Sequence, residues 1–443
     1  AGYWGVPVPT SRVRRNIALA GLPARAVGRA VSIQARGLLG QDRAELREQA
    51  RAATAADTRA TLGHLKGGAL KLGQLLSTVD ALFPSDPDSS WQGALGALQE
   101  DNPGLAFAEV RPVLEAELGA DWRAQFRDFD EHPAAAASIG QVHRAVWSDG
   151  TPVAVKVQYP GVAEAIAGDV RSLAVTLRLT SLVARGMAMP PLVAELRTRL
   201  GEELDYRTEA AHQRAFASAY EGDPAYYVPP VLAATRGVLV SHWMPGTGLA
   251  EVARDGTTAE RDHLGAAYQH FFLTSPSRVG LLHTDPHPGN FRLLDDGRMG
   301  VLDFGSVLVM PGGLPPTFGG LIRAMTATDP EAVEARLREG GFIAPDAHIE
   351  VEKLIDYLSP FSEPSRHEVF TFSREWLKSE FGRVNDPRNP DFTVALQLTI
   401  PADQLFTHRL WLGLVGVLCG LGATVRVRSE LEAHLPGFAD PAG

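Results

Sequence analysis

The spacing of apolar residues predicts a helical region from about residue 40 to residue 120. In the stretch "TLGHLKGGALKLGQLLS", Leu62, Leu65, Leu72 and Leu76 recur at intervals of three, four and seven, which is typical of one face of an amphipathic helix. The stretch "AFAEVRPVLEAELG" has the same character and predicts a further helix.

The pattern changes at about residue 125, where apolar and polar residues begin to alternate. "QVHRAVW" and "PVAVKVQY" read as strands, and Asp149-Gly150 in the intervening "SDGT" is a strong hairpin signal. "RGVLVSHWMPG" predicts another strand, which ends at a Pro-Gly turn. These stretches predict a small mixed region between two helical ones.

After residue 250 helices are predicted to predominate, with one interruption. "GLLHTDPHPGNFRLLDDGRMGVLDFG" reads as a strand, a polar loop and a hairpin that turns at Asp296-Gly297. The most apolar run, Leu410 to Val425, is shorter than a membrane span requires and contains four glycines, so it predicts a buried helix. The fold class predicted from these patterns is α+β.

Composition excludes some classes of function. The 443 residues are 45% hydrophobic and 21% charged, as in an ordinary soluble globular protein. A net charge of −10 argues against a nucleic-acid partner. Cys419 is the one cysteine, which predicts a reducing compartment. The first residues lack the apolar core and cleavage site of a signal peptide, so a cytoplasmic location is expected.

The first 41 residues have a charge pattern of their own. They contain no Asp or Glu, and six arginines alternate with apolar residues: Arg12, Arg14, Arg15, Arg25, Arg29 and Arg36. A basic amphipathic segment can lie on an anionic membrane surface, which here would be the inner face of a membrane. A solvated helix docked on the rest of the protein is the alternative, and the sequence leaves both open.

The most specific chemical signal is "HTDPHPGNF" followed by "VLDFG". Transfer of a γ-phosphoryl group requires a carboxylate that orients the acceptor and oxygen ligands that hold Mg²⁺. Asp285 has the position of the orienting carboxylate, while Asn290 and Asp303 have those of the metal ligands. A turn-forming loop followed by a chance Asp-Phe-Gly is the alternative.

Lysine is scarce in the chain, with Lys66, Lys71, Lys156, Lys353 and Lys378 among 42 basic residues. Lys156 in "VAVKV" matches a lysine that contacts the α- and β-phosphates of ATP, although an ordinary strand lysine is the alternative. The spacing of Glu202, Asp205 and Glu209 predicts one acidic helical face that could position this lysine, and a solvated acidic face is again the alternative.

The four alanines that begin "AAAASIGQVHRA" are predicted to form a loop where nucleotide-binding proteins usually have glycines. Alanines narrow the backbone conformations that let amides approach a phosphate.

Taken together, the motifs resemble the UbiB/AarF family of atypical kinases across nearly all of the chain. They are "KLGQ", "AAAASIGQVHRA", "VAVKVQYPG", "ELDYRTEA", "HTDPHPGN" and "DFG", in that order. The resemblance implies a protein-kinase-like bilobal fold with a helical extension that covers the active site. The implied domains are the extension (residues 1–120), a small lobe with the alanine-rich loop (121–245) and a helical lobe (246–443).

The resemblance also implies roles for individual residues. Lys156 would pair with Glu209, and both would act with Asp285 in catalysis. Glu203 and Asp205 would form a Glu-x-Asp motif that meets Lys71 and Gln74 of the extension. The residues implied to contact the nucleotide are Lys71, Gln74, Ala135, Ala136, Ala137, Ser138, Lys156, Glu203 and Asp205.

The chain departs from protein kinases at several positions. The catalytic loop has "PHPG" where a Ser/Thr kinase has a lysine, and no Ala-Pro-Glu follows Asp303. His287 in this loop either supports the catalytic residues from behind or is a packing residue, and packing is slightly favoured. His242 stands where the family commonly has a glutamate.

The resemblance implies a function with ATP and Mg²⁺ as cofactors. The expected activity is ATP hydrolysis that supports isoprenoid quinone or lipid metabolism, with a lipid or quinone precursor as partner at a membrane surface. Two alternatives stay open: a phosphotransferase that acts on a small molecule or a protein, and a nucleotide-gated binding module. The alanine-rich loop is implied to restrain nucleotide binding.

Overall fold

The computed structural model describes residues 104–137, 139–166, 201, 204–343, 347, 349–385, 398 and 405–439. The contacts divide the chain into two compact units, the first of which ends at Leu204 but also includes Thr235–Val240. The second comprises Asp205–Ala234 and Ser241–Gly443. The three domains predicted from the sequence remain a prediction.

The first unit begins, within its described part, with one helix that precedes an antiparallel sheet. Helix α1 (Phe107–Leu118) ends at Gly119, and strands β1 (Phe126–Ala136), β2 (Gly140–Trp147) and β3 (Pro152–Gln158) follow. Strand β6 (Val238–His242) begins in this unit and lies next to β3. The predicted hairpin between β2 and β3 is confirmed, and Gly150 has the positive φ of 100° that its turn requires.

Alternating burial along β3 defines the two faces of this sheet. Val153, Val155 and Val157 are fully buried, whereas Ala154 and Lys156 between them are only partly buried. Side chains of successive strand residues point to opposite faces, so the valines form the core face and Lys156 lies on the other one.

A buried polar network holds the beginning of the described chain against β2. The Gln141 side chain accepts a hydrogen bond from the Leu105 amide (2.8 Å) and donates one to the Leu105 carbonyl (3.2 Å). Its Nε2 also lies 3.0 Å from Nε2 of His143, whose Nδ1 is 2.8 Å from the Asp130 carbonyl. Because that carbonyl can only accept, Nδ1 of His143 carries the proton and Nε2 accepts from Gln141.

The second unit is predominantly helical. Within the described ranges its helices are α2 (Tyr206–Ala219), α3 (Leu249–Asp255), α4 (Thr258–Val279), α5 (Pro316–Ala327), α6 (Pro330–Glu339), α7 (Val351–Ser362), α8 (Arg374–Asn385), α9 (Leu405–Leu421) and α10 (Arg428–His434). No helix in the described ranges is long and apolar enough to cross a membrane.

Short strands complete the second unit. They are β4 (Tyr226–Tyr227), β5 (Val231–Ala234), β7 (Thr247–Gly248), β8 (Leu281–His283), β9 (Phe291–Leu293), β10 (Met299–Val301), β11 (Val307–Val309), β12 (Val369–Thr371) and β13 (Thr424–Arg426). One sheet has the order β4-β10-β9-β7, and the pairs β8-β11 and β12-β13 are antiparallel. The predicted hairpin at Asp296-Gly297 is confirmed as the β9-β10 connection, in which Gly297 has φ +85°.

Helix α4 is central to the core of the second unit. It begins with a capping box between Thr257 and Glu260 and ends at Gly280 in a left-handed conformation. Its buried aromatic residues pack with α9, the predicted apolar helix, whose Leu410 and Leu418 are fully buried. This core is the support on which β8 and the following polar loop lie.

Candidate active site

The polar loop predicted to carry catalysis joins β8 to β9. Asp285 and Asn290 are brought together on it, because Nδ2 of Asn290 donates to Oδ2 of Asp285 (3.0 Å) and lies 3.3 Å from its carbonyl. Residues Pro288–Asn290 form a 3₁₀ turn, and Nδ1 of His287 accepts from the Gly289 amide (3.1 Å). The side chain of His287 is exposed and caps this turn, which favours a supporting role over the packing role of the two predicted for it.

Asp303 lies two residues after the end of β10 in a left-handed conformation, with φ +58°. For a residue other than glycine this conformation costs about 1–2 kcal/mol, although Asp tolerates it better than most. Its Oδ1 accepts a hydrogen bond from the Gly305 amide (3.2 Å). The surroundings therefore hold Asp303 in one orientation against local strain.

His283 connects Asp285 to Asp303 through their backbones. Its imidazole is fully buried, Nε2 lies 2.7 Å from the Asp303 carbonyl, and Nδ1 lies 3.3 Å from the Asp285 amide. The carbonyl requires a donor and the amide an acceptor, so the ring is neutral with its proton on Nε2. One side chain thus fixes the distance between the two acidic residues.

Two further contacts support the same loop. The Tyr268 hydroxyl on α4 donates to the Pro286 carbonyl (2.6 Å), and burial, together with the charge of Asp285, raises its pKa well above the usual range. The Thr284 and Ser306 hydroxyls lie 2.8 Å apart where β8 pairs with β11. His283, Tyr268 and Thr284 were not among the site residues predicted from the sequence. The signal for His283 was its place in an apolar strand two residues before Asp285.

Helix α2 brings Glu209 to the Asp-Phe-Gly segment. Glu209 is buried, and its Oε2 lies 3.5 Å from the position that a Cβ on Gly305 would take, while Oδ1 of Asp303 lies 3.2 Å from the same point. Nδ1 of His212, one turn later on α2, is 3.2 Å from the Phe304 carbonyl. The helix with Glu209 is therefore attached to the backbone beside Asp303.

The prediction of one continuous helical face through Asp205 and Glu209 is wrong. Helix α2 begins at Tyr206, and Asp205 is its N-cap in an extended conformation, with its side chain accepting from the Arg207 amide (3.0 Å). The same carboxylate forms an ion pair with the Arg207 guanidinium at 2.6 Å. Competition from the capping hydrogen bond favours a helix start at Asp205 over continuation through it.

The alanines predicted as a loop belong mainly to a strand. Ala135 and Ala136 lie in β1, opposite Val142 and Gln141 of β2, and the Ala137 amide bonds to the Gly140 carbonyl (2.8 Å) in the connecting turn. Val142 in turn lies opposite Lys156. Directly opposed residues share a face of the sheet, so Ala135, Val142 and Lys156 form one row across three strands.

The remaining predicted residues cannot be placed in the same way. Lys71, Gln74, Ser138 and Glu203 lie outside the described residues. Lys156 belongs to the first unit and Glu209 to the second, and their pairing remains a prediction. The catalytic and metal-binding roles assigned from the sequence also remain predictions.

Comparison with known proteins gives the family. Residues 97–334 match the model of the ABC1 atypical kinase-like domain. The chain is 29% identical over 373 residues to the mitochondrial atypical kinase COQ8 of Saccharomyces cerevisiae, covering 82% of this chain and 72% of that one. It is 31% identical to COQ8B of Rattus norvegicus, covering 67% of this chain and 57% of that one. It spans 45% of the length of coq-8 of Caenorhabditis elegans.

A solved structure shares the fold over most of the chain. It is the complex of Rv3197 with erythromycin from Mycobacterium tuberculosis, 39% identical with a TM-score of 0.68, and the match covers 90% of this chain and 98% of that one. The predicted kinase-like α+β fold is therefore confirmed. Because the matched domain covers more than half of the sequence, the chain belongs to the ABC1, or UbiB/AarF, family of atypical kinases.

Proposed function

We propose that the protein binds Mg-ATP and hydrolyses it in support of isoprenoid quinone or related lipid metabolism at a membrane surface. The observation that supports the proposal most directly is that hydrogen bonds connect Asp285, Asn290 and Asp303 and fix their positions. His283 joins the backbones of the two acidic residues, and the Asn290 amide bonds to the Asp285 carboxylate. Phosphoryl transfer depends on such fixed positioning more than on covalent chemistry.

The side chains available near this loop suit Mg²⁺. Asn290 donates its Nδ2 to Asp285, which leaves the amide oxygen Oδ1 as the atom that can face a cation. Asp303 supplies a carboxylate whose orientation is fixed by the Gly305 amide. An amide oxygen and a carboxylate are hard ligands of the kind that Mg²⁺ prefers. A bound Mg²⁺ would neutralise phosphate charge.

Asp285 would orient the attacking water and accept its proton. The hydrogen bond from Nδ2 of Asn290 to Oδ2 restrains rotation of the Asp285 carboxylate, which favours one direction of attack. Tyr268, which binds the next carbonyl of the loop, restrains the backbone at the same place. Residues of the chain would therefore orient the attacking water, and the phosphoryl group that the water attacks would come from ATP.

The row formed by Ala135, Val142 and Lys156 supports a nucleotide-binding face on the first unit. Lys156 would contact the α- and β-phosphates, and the alanine Cβ atoms on the same face would limit how closely phosphates approach the backbone. The quinone context of the proposal comes from the family and from the COQ8 relatives. The membrane contact comes from the arginine-rich residues 1–41, which lie outside the described ranges.

The test is phosphate release from Mg-ATP by the full chain, with and without anionic liposomes. Asp303→Asn keeps the size of the side chain and tolerates the left-handed backbone, and we expect it to lower the rate by about 100-fold or more. Asp296→Asn is the matched control, because Asp296 lies in the nearby β9-β10 turn and forms an exposed ion pair with Arg298. The control should retain the wild-type rate.

Each outcome separates the proposal from its alternatives. Release that depends on Asp303 and increases with liposomes supports a membrane-coupled ATPase. Labelled phosphate on an added lipid or protein, in place of release, would favour a phosphotransferase. Tight Mg-ATP binding with neither release nor transfer would contradict hydrolysis and favour a nucleotide-gated binding module.

A further inference from the structure

A second group of potential metal ligands lies in the second unit on helices α4 and α10, and consists of His270, Glu430 and His434. His270 belongs to α4, while Glu430 and His434 are four residues apart on α10 and so share one helical face. None of the three is among the residues assigned to phosphoryl transfer. We refer to them as the His270 cluster.

The two helices are fixed relative to one another around this cluster. Leu431 and Leu435 of the α10 segment are buried in the core that α4 also lines. The Gln269 side chain donates to the Arg426 carbonyl (2.8 Å), and the Thr424 amide donates to Asp262 of α4 (2.8 Å). A metal ion would therefore meet ligands on a preformed frame.

The three side chains converge on one point. Nδ1 of His270 lies 2.9 Å from Oε2 of Glu430, and Nε2 of His434 lies 3.8 Å from the same oxygen. All three candidate ligand atoms lie within 4.8 Å of one another. The shorter distance is a hydrogen bond, but 3.8 Å is too long for one. Two imidazoles thus face one carboxylate oxygen, and only one of them bonds to it.

A transition-metal ion would satisfy all three groups at once. Zinc binds histidine nitrogen at about 2.0–2.1 Å and carboxylate oxygen at about 2.0–2.2 Å, so neighbouring tetrahedral ligands are roughly 3.3 Å apart. The two nitrogen-to-oxygen distances in the cluster, 2.9 and 3.8 Å, bracket that value. Two nitrogens and one oxygen suit zinc and its neighbours in the first transition series, whereas Mg²⁺ and Ca²⁺ prefer oxygen ligands alone.

Partial exposure makes the cluster accessible to an ion. The side chains of His270, Glu430 and His434 retain 38%, 31% and 33% of their exposure. Three protein ligands and an accessible fourth position for water form an open site. Tyr226 stacks on the His270 ring at a centroid distance of 6.4 Å, which restricts how far that ring can turn.

We propose that His270, Glu430 and His434 bind one transition-metal ion of the zinc class and so link α10 to α4. The proposal is independent of ATP hydrolysis. A bound ion would also stabilise α4, and α4 carries Tyr268, whose hydroxyl bonds to the Pro286 carbonyl in the loop of Asp285.

The experiment is a titration of the chelator-treated full chain with ZnCl₂ by calorimetry, in the absence of nucleotide, with Co²⁺ absorption as a second readout. Wild-type protein should show one tight site that excess Mg²⁺ does not displace. His434→Ala and Glu430→Gln should each weaken zinc binding by roughly tenfold or more, since loss of even an outer partner of a ligand has an effect of this size. Zinc should also raise the melting temperature of the wild type but not of these variants.

His263→Ala is the matched control. His263 is also on α4 and exposed, and its Nε2 lies 2.8 Å from the Gly297 carbonyl, so the change removes a histidine without touching the cluster. Zinc affinity should be unchanged in this variant. Equal zinc binding by wild type and His434→Ala, or equal loss in the His263 control, would overturn the proposal. Glu430→Gln keeps a polar side chain of the same size at a partly exposed site, so it separates loss of a ligand from loss of folding.

Discussion

Replacing His283 with phenylalanine tests whether this buried imidazole holds the two acidic residues in place. A phenyl ring keeps the aromatic packing against Phe272, Phe291 and Phe304, whose ring centroids lie 5.5–6.2 Å away. What the substitution removes is the donor to the Asp303 carbonyl and the acceptor for the Asp285 amide. His283→Phe is therefore mainly a change in hydrogen bonding.

The magnitude follows from the two contacts. The 2.7 Å bond from the fully buried imidazole to the partly buried Asp303 is short, and leaving this carbonyl without its donor costs about 1–3 kcal/mol. The 3.3 Å contact with the Asp285 amide is weaker, and Asp285 is only partly buried, so its loss lies at the lower end of that range. We expect the free energy of unfolding to fall by about 2–4 kcal/mol in His283→Phe.

The assay is urea unfolding of the full chain, read as a shift of the midpoint at unchanged slope, with and without Mg-ATP. His263→Phe is the control, because it removes a histidine-to-carbonyl hydrogen bond of similar length, 2.8 Å, at an exposed position where water replaces the lost partner. The control should lose less than about 1 kcal/mol. Mg-ATP should stabilise the control as much as it stabilises the wild type. It should stabilise His283→Phe much less. Equal unfolding midpoints for the two variants would refute the reasoning.

The remaining predictions concern pH and thiol chemistry. Burial lowers the pKa of His143 below its usual 6.5 despite the opposing hydrogen bond to the Asp130 carbonyl. The contribution of neutral His143 to the free energy of unfolding is therefore complete above pH 6.5 and is lost as the pH falls through the folded pKa. Chemical denaturation should show that the free energy of unfolding of the wild type declines over this pH range. The decline should be smaller in His143→Phe. Burial raises the pKa of Cys419 to about 12. Iodoacetamide at pH 8 should therefore leave the native protein unmodified and alkylate Cys419 only in denaturant. Rapid alkylation of the native protein would contradict the burial of this thiol.

The sequence predicted the local elements of the site because their signals are local. Asp149-Gly150 and Asp296-Gly297 determine hairpins through the positive φ that glycine adopts without strain, and both hairpins are present. The prediction of a strand at "PVAVKVQY" is confirmed by β3, in which Lys156 lies on the face opposite the buried valines. The spacing of Asp285, Asn290 and Asp303 was sufficient to assign them to one loop and the hairpin that follows.

Where local signals competed, the sequence prediction was wrong. Asp205 fits an acidic helical face by its spacing, but as a good N-cap it ends that face and begins α2. The alanines before β2 read as a loop because they replace glycines, yet Ala135 and Ala136 pair with β2. Backbone pairing with a neighbouring strand has no fixed signature in the residues that it orders.

The contacts that link the site residues depend on the tertiary structure alone. His283 bonds to a carbonyl 20 residues away and the Tyr268 hydroxyl to one 18 residues away, while the Gln269 side chain that fixes α4 near the His270 cluster reaches a carbonyl 157 residues away. Each partner is a backbone carbonyl, which every residue possesses, so no side-chain pattern identifies it in advance. The sequence therefore determined which residues are proposed for phosphoryl transfer, whereas packing around α4 and β8 determined which backbone groups hold them and which histidines meet Glu430.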